Sequence, residues 1–313
     1  MKRLGGDCVT RVWIIASFLL LGLPLVLGLI PEVARAAGEN QQQIPVEASP
    51  QNPGGVGELP DEVSESVAEE GSEIEKQINI NYFGIFYGPA LQGTNSYQPA
   101  PGGQSDRDLP VILKNFLNVG HNLSEMVTVT ATAYWVAQPV LDKNLEFQDP
   151  FVRASYNSIL HWRGFNLYGD VRGHVPATAV SQQNDLVFGL QTFQALTYGV
   201  PESRFLYGLY ASERRNFFGN EGYGNDVELY FALNMNYQFA PTLTTTLLFE
   251  VQRNHAYGDF RKGFYDNGTD IQPGISWDIT PQIMVNPYLN ILLGQSVSLR
   301  STSVGMMMSW TLL

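Results

Sequence analysis

A strict alternation of apolar and polar side chains runs in long segments from about residue 78 to the end of the chain. Residues 227–239 show it best: the odd positions are Val, Leu, Phe, Leu, Met, Tyr and Phe, and the even positions are Glu, Tyr, Ala, Asn, Asn and Gln. Because successive side chains of a strand point to opposite faces, this segment has one apolar and one polar face. It is longer than a typical globular strand of roughly 5–6 residues and suits a tilted membrane-crossing strand of roughly 9–11 residues plus its rims. Lipid offers no partner to an unpaired backbone group, so strands of this kind must close into a barrel.

The first 36 residues have the pattern of a signal peptide. A basic start with Lys2, Arg3 and Arg11 precedes the uncharged, mostly apolar run 12–30, and an A-x-A cleavage site follows at 34–36. The apolar run is longer than the roughly 7–15 residues of an ordinary signal core, so an uncleaved inner-membrane anchor is the alternative.

The composition excludes several function classes. Cys8 is the only cysteine and precedes the apolar run, so the cleaved chain has none, which excludes disulfides and cysteine catalysis. The whole chain carries a net charge of −12, but residues 37–77 hold ten acidic residues against the single base Lys76. This segment is predicted to be a largely disordered periplasmic tail, with a short partner-binding helix over 59–76 as the alternative. Such acidity argues against nucleic acid as a partner.

Twelve alternating segments follow one another between turn signals, and they are predicted to form an all-β, closed, antiparallel up-and-down transmembrane barrel over residues 78–313. The predicted strands are 78–87, 111–122, 125–137, 148–160, 162–174, 184–197, 204–214, 226–239, 242–254, 268–279, 282–293 and 298–313.

The connections alternate between short turns and longer loops, as in outer-membrane barrels, whose periplasmic turns are short. Both termini are therefore predicted to be periplasmic. The short connections are 123–124, 160–161, 199–202, 240–241 and 280–281; the longer ones are 88–110, 138–147, 175–183, 215–225 and 255–267.

Aromatic residues gather near the predicted strand ends, where interfacial girdles form in membrane barrels. The predicted girdle comprises Trp135, Trp162, Tyr237, Phe239, Trp277 and Trp310.

The last strand carries Val304, Met306, Met308, Trp310 and Leu312 on one face. It resembles the terminal signal read by the barrel-assembly machinery, although that signal ends in an aromatic residue and this chain ends in two leucines. Residues 78–313 as a whole resemble bacterial outer-membrane β-barrel proteins of about twelve strands, the porin-like class. The resemblance implies a Gram-negative outer membrane, export through a cleaved signal peptide, and contact with lipid, lipopolysaccharide and the assembly machinery.

The polar face of the predicted strands carries a group of ionisable residues, mostly in the outer half of the barrel. One interpretation is a constriction with cationic and anionic walls, since rings of charge give pores their selectivity. The other is a salt-bridge network that fills a narrow lumen. Twelve strands lie between filled barrels of roughly 8 and open channels of roughly 16–18 strands. The predicted lumen residues are Arg153, Asp170, Arg172, His174, Arg214, Glu228, Glu250 and Asp278.

Enzyme and metal sites are weighed against this pattern. Outer-membrane phospholipases resemble the chain in strand number, but they need Ser, His and an orienting group at the outer rim. His121 with Ser124 falls at a predicted periplasmic turn, and His174 and His255 lack a serine in a matching frame. No catalytic residue is assigned. Three acidic residues near His255 could bind calcium: Asp259, Asp266 and Asp270. A solvated acidic loop is favoured, and no cofactor or metal is expected.

The sequence thus predicts a passive channel for small polar or moderately hydrophobic solutes. The main alternative is a non-conducting structural or surface-contact protein with a plugged lumen, in which loop 88–110 folds inward or presents a binding surface. An outer-membrane hydrolase is the third class, and the oligomeric state stays open.

Overall fold

Backbone hydrogen bonds join each strand to its neighbours until the sheet closes on itself. The computed structural model describes residues 78–91, 111–124, 126–140, 144–219, 222–258, 263–293, 299 and 301–313, without the side chains of 266 and 267. The predicted signal peptide and the acidic tail lie outside the described residues.

The described ranges contain thirteen strands and one short helix. They are β1 (Ile78–Ala90), β2 (Ile112–Asn122), β3 (Val127–Gln138), β4 (Asn144–Phe147), β5 (Phe151–Trp162), β6 (Phe165–His174), α1 (Ala179–Gln183), β7 (Leu186–Gly199), β8 (Phe205–Phe218), β9 (Asn225–Ala240), β10 (Leu243–Ala256), β11 (Tyr265–Thr280), β12 (Ile283–Leu292) and β13 (Thr302–Thr311).

Twelve of these described strands form a closed antiparallel barrel, which confirms the predicted fold class. Consecutive strands pair in chain order, and β1 closes the ring by pairing with β2 on one side and β13 on the other. At the seam, Tyr82 lies opposite Trp310 and Phe86 opposite Met306. The strand β4 is the exception to the simple ring.

The strand β4 was predicted to be part of a loop. Its four residues pair with residues 135–138 of β3, whereas β5 pairs with residues 127–132 of the same strand. Several predicted strands are longer than expected: β1 continues to Ala90, β8 continues to Phe218 and β11 begins at Tyr265. Cross-strand pairing extends beyond the predicted strand ends, for example between Asn254 and Tyr265.

The two ends of the barrel differ in their connections. Short turns such as 163–164, 241–242 and 281–282 lie at one end, which we call the turn end. The first and last strands also meet there, because Ile80 N donates to Leu313 O at 2.9 Å. The opposite end, which we call the loop end, carries the longer connections.

One loop-end connection is held by a single buried carboxylate. Asp149, just before β5, accepts hydrogen bonds from Ala177 N at 2.8 Å and Thr178 N at 2.9 Å. Its other oxygen accepts from the Ser181 hydroxyl in α1. Thr178 in turn caps α1 by accepting from Ser181 N at 3.1 Å. The loop between β6 and β7 is therefore anchored to the barrel wall.

The period-two pattern of the strands separates an outer apolar face from a buried inner face. In β9, Ala232 is fully buried whereas the next residue, Leu233, is 49% exposed. Exposed apolar residues on other strands include Val152, Val171 and Ile275. Among the described residues, no helix is long and apolar enough to cross a membrane.

The predicted girdle residues lie at the ends of the strands. Trp135 is half-buried toward the loop end, where its ring centroid lies 6.5 Å from that of Tyr82 and 6.4 Å from that of Phe147. The other five are exposed and lie toward the turn end: Trp162, Tyr237, Phe239, Trp277 and Trp310.

An arginine introduced on the outer face should destabilise the barrel by an amount that depends on its depth in the membrane. The loss of stability should be largest at the bilayer midplane, where a charge costs most. Leu233→Arg, in the middle of β9, is expected to lower the free energy of unfolding by about 2–4 kcal/mol, and Leu160→Arg, near the turn end, by only about 0–1 kcal/mol. Urea unfolding in phospholipid vesicles measures both. Equal losses at the two positions would contradict a lipid-facing outer surface.

Candidate functional site

Most of the predicted lumen residues lie in the barrel interior. Six of the eight are buried and Arg153 is half-buried. Asp278 differs: it is exposed, because it lies two residues before the end of β11, where solvent reaches the turn end. The six buried residues are Asp170, Arg172, His174, Arg214, Glu228 and Glu250.

Three inward arginines lie on β5, β6 and β8 toward the loop end, and Gln191 of β7 lies between the last two. Arg153 lies opposite Arg172, and Arg172 lies opposite Gln191. Gln191 lies opposite Arg214, which lies opposite Glu228. We call these five residues on β5 to β9 the arginine arc.

Acidic and amide groups hold the arginine arc in place. Asp170 binds Arg172 through two hydrogen bonds, of 2.8 Å to Nε and 3.0 Å to Nη2. Asn216 joins the other end of the arc: its Oδ1 accepts from Arg214 Nε at 3.0 Å, and its Nδ2 donates to Glu228 at 3.1 Å. These bonds fix the positions of the charged groups.

Aromatic rings flank the guanidinium of Arg172. Its Cζ lies 5.2 Å from the ring centroid of Phe193 and 5.9 Å from that of Phe151. The ring centroid of His174 lies 5.0 Å from that of Phe151, and the His174 Nε2 lies 2.9 Å from Gln191 Oε1. Cation–π contacts of this kind stabilise a desolvated arginine.

A second polar group lies on β9 to β11. Glu250 lies directly opposite Asp270, and these residues are 4% and 1% exposed. Tyr230 donates a hydrogen bond of 2.9 Å to Glu250 Oε2, and Gln272 Nε2 donates one of 3.0 Å to Asp270 Oδ1. Lys114 of β2 interacts electrostatically with Glu250. We call Glu250 and Asp270 the carboxyl pair.

The interior also contains aromatic clusters that the sequence analysis did not single out. The ring centroids of Phe116 and Tyr134 lie 4.4 Å apart and nearly parallel. Residues 82–87 of β1 are apolar on both faces, which indicates an apolar stretch on the inner face of this strand. The larger cluster, which we call the apolar wall, comprises Phe83, Ile85, Tyr87, Ile112, Phe116, Tyr134 and Phe151. A second cluster comprises Phe193, Ala195, Tyr210, Tyr230 and Ala232.

Ser124 follows His121 in the chain and Ser181 follows His174, and both serines form hydrogen bonds with other groups. Ser124 accepts hydrogen bonds from the backbone of a turn, and Ser181 bonds Asp149. His255 Nδ1 lies 2.6 Å from Asp226 Oδ1 at the loop end. His121 is exposed near the turn end.

Of the acidic residues considered for calcium near His255, Asp259 and the side chain of Asp266 lie outside the described part of the structure. Asp270 lies within β11, opposite Glu250. The described part of the chain contains no group of three or more His, Cys, Asp or Glu residues placed to hold a metal ion.

Replacing Asp170 should cost far more stability than replacing a surface acid. Asp170→Ala leaves the charge of Arg172 buried without its acidic partner, which is expected to cost about 3–5 kcal/mol. Glu213→Ala breaks the exposed pair with Arg215, whose side chain is 59% exposed, and is expected to cost about 0–1 kcal/mol. Urea unfolding compares the two variants. Equal losses would show that the Asp170–Arg172 pair is open to bulk water.

Comparison with known proteins identifies the fold. No family model and no curated protein matches the sequence. A solved outer-membrane channel from Pseudomonas putida F1 is similar, with 13% identity and a TM-score of 0.51 over 75% of this chain and 95% of that one. The NanC porin gives 10% identity and a TM-score of 0.46 over 75% and 100%, and the KdgM porin 10% and 0.41 over 75% and 99%.

Proposed function

We propose that this protein is an outer-membrane channel through which small solutes pass passively. The observation that carries the proposal is a closed wall that exposes apolar side chains outside and encloses the arginine arc inside. An apolar outer face suits lipid, and charged groups inside suit an aqueous path. The fold shared with a solved outer-membrane channel supports the same proposal.

The proposed location follows from the leader and the ends of the barrel. A cleaved signal peptide at 1–36 exports the chain, and the acidic segment 37–77 stays in the periplasm. The turn end faces the periplasm and the loop end faces outward, as in bacterial barrels. The five exposed aromatic residues of the girdle then lie at the periplasmic interface, in contact with lipid, and Trp135 lies toward the outer interface, where the barrel contacts lipopolysaccharide. The barrel-assembly machinery is the expected insertion partner.

The inner surface suggests which solutes pass. The apolar wall covers β1 to β3 and the start of β5, whereas β5 to β9 carry the arginine arc. A small solute with an apolar part and a polar or charged part can contact both. Guanidinium groups beside Glu228 also produce a local field that orients such a solute.

A non-conducting surface-contact protein is the second candidate. The two aromatic clusters favour it, because their inward side chains fill part of the interior; Phe193 is only 1% exposed. A hydrolase is not proposed, since the serines near the histidines form other hydrogen bonds.

Neutralising one inner arginine should change the charge preference of the pore. Arg214→Gln is expected to lower the anion-to-cation permeability ratio, and Glu228→Gln to raise it. One charge at 4 Å in water is worth about 1 kcal/mol, so a change of about five-fold is expected. Reversal potentials of single channels in planar bilayers under a KCl gradient measure this ratio.

The matched control is Arg215→Gln. Arg215 is adjacent to Arg214 on β8, but its side chain points outward and is 59% exposed, so the ratio is expected to stay unchanged. A difference in electrophoretic mobility between unheated and heated samples verifies that each protein is folded. An absence of conductance from folded wild-type protein would overturn the channel and favour the second candidate.

A further inference from the structure

We propose that the carboxyl pair binds one divalent cation, calcium in particular, inside the barrel. The ligands are the carboxylates of Glu250 and Asp270, assisted by the side-chain oxygens of Gln272 and Tyr288. Such a site is independent of conduction, because a filled barrel could hold the ion as well.

Two buried carboxyl groups in contact require a positive charge between them. Glu250 lies directly opposite Asp270 on the neighbouring strand, and both residues are almost fully buried. Two carboxylates that face each other across neighbouring strands repel each other strongly when water is scarce, so either a shared proton or a cation must compensate. A cation that enters the pair takes the place of that proton.

Unpartnered oxygens beside the pair indicate a ligand. Gln272 directs its Nε2 to Asp270, and its Oε1 has no hydrogen-bond partner. The hydroxyl of Tyr288 also has no hydrogen-bond partner, although Tyr288 interacts electrostatically with both carboxyl groups. Gln272 and Tyr288 are only 4% and 5% exposed. Buried polar atoms almost always have a partner, so these oxygens suit an additional bound group.

The surrounding strands hold these oxygens in place. The ring of Tyr288 lies over Gly305 of β13, where a Cβ would overlap it. Asn290 lies two residues along the same inner face of β12; its Oδ1 is likewise buried without a partner. Tyr230 fixes Glu250 from the other side. The site therefore extends over four neighbouring strands, β9 to β12.

The chemistry of the ligands favours calcium over other metals. Carboxylate, amide and hydroxyl oxygens are hard ligands, and calcium accepts six to eight of them in flexible geometry, whereas magnesium demands near-ideal octahedral geometry. Lys114 is a positive group that acts on Glu250, and a single ammonium can balance only one of two carboxylates. Lys114 thus weakens the binding of a cation without replacing it.

Terbium luminescence tests the site directly, because Tyr230 contacts Glu250 and can sensitise a bound lanthanide. Full-length protein is refolded in detergent without lipopolysaccharide, titrated with Tb³⁺ and excited at the tyrosines. We expect saturable luminescence from one ion per chain, displaced by Ca²⁺. The double variant Glu250→Gln with Asp270→Asn is expected to lose this signal, and Lys114→Met is expected to bind several-fold more tightly.

The control variant is Glu213→Gln, which removes an acid on the outer face paired with Arg215 and is expected to keep the signal. Thermal unfolding is the second measurement: Ca²⁺ should raise the midpoint of wild type but not that of the double variant. Equal luminescence from the folded double variant, or no saturable signal from folded wild type, would overturn the site. Neither result bears on conductance, so the channel proposal is judged separately.

Discussion

The whole structure depends on a ring of backbone hydrogen bonds that has no free edge. In lipid a strand must satisfy every amide and carbonyl through its neighbours, so the seam between β1 and β13 is as essential as any other pairing. Ile80 binds Leu313 and Leu312 across that seam, at 2.9 and 2.8 Å. Once the ring is closed, the parity of each residue decides whether its side chain points outward or into the interior. The difference in exposure between Ala232 and Leu233 shows how sharply this works.

Closure of the barrel also brings charged side chains close together in its interior. Side chains that converge inside a narrow ring lose water, so each charged group needs an opposite charge, an amide or an aromatic face. The arginine arc has these partners: Asp170 holds Arg172, and Asn216 links Arg214 to Glu228. The carboxyl pair has fewer positive neighbours. This contrast makes the arc a fixed electrostatic surface and the pair a place where an ion can be exchanged.

The sequence predicted the closed barrel because parity and loop length are local properties. It could not predict β4, whose four residues are too few to show a period and become a strand only by pairing with β3. The buried arginines were predicted from their parity. The pairing of Glu250 with Asp270 was missed because it depends on the register between β10 and β11. The apolar wall was missed because residues 82–87 of β1 are apolar on both faces, so the alternation does not predict how the interior is lined there.

Asp149 has a consequence for the entrance. Three donors from the connection between β6 and β7 converge on this one carboxylate, so that segment is fastened to the wall just above Arg172. A fastened segment cannot swing across the opening as a flap. The connection between β6 and β7 is thus held at the rim, and any opening and closing of the entrance has to arise from other connections at the loop end.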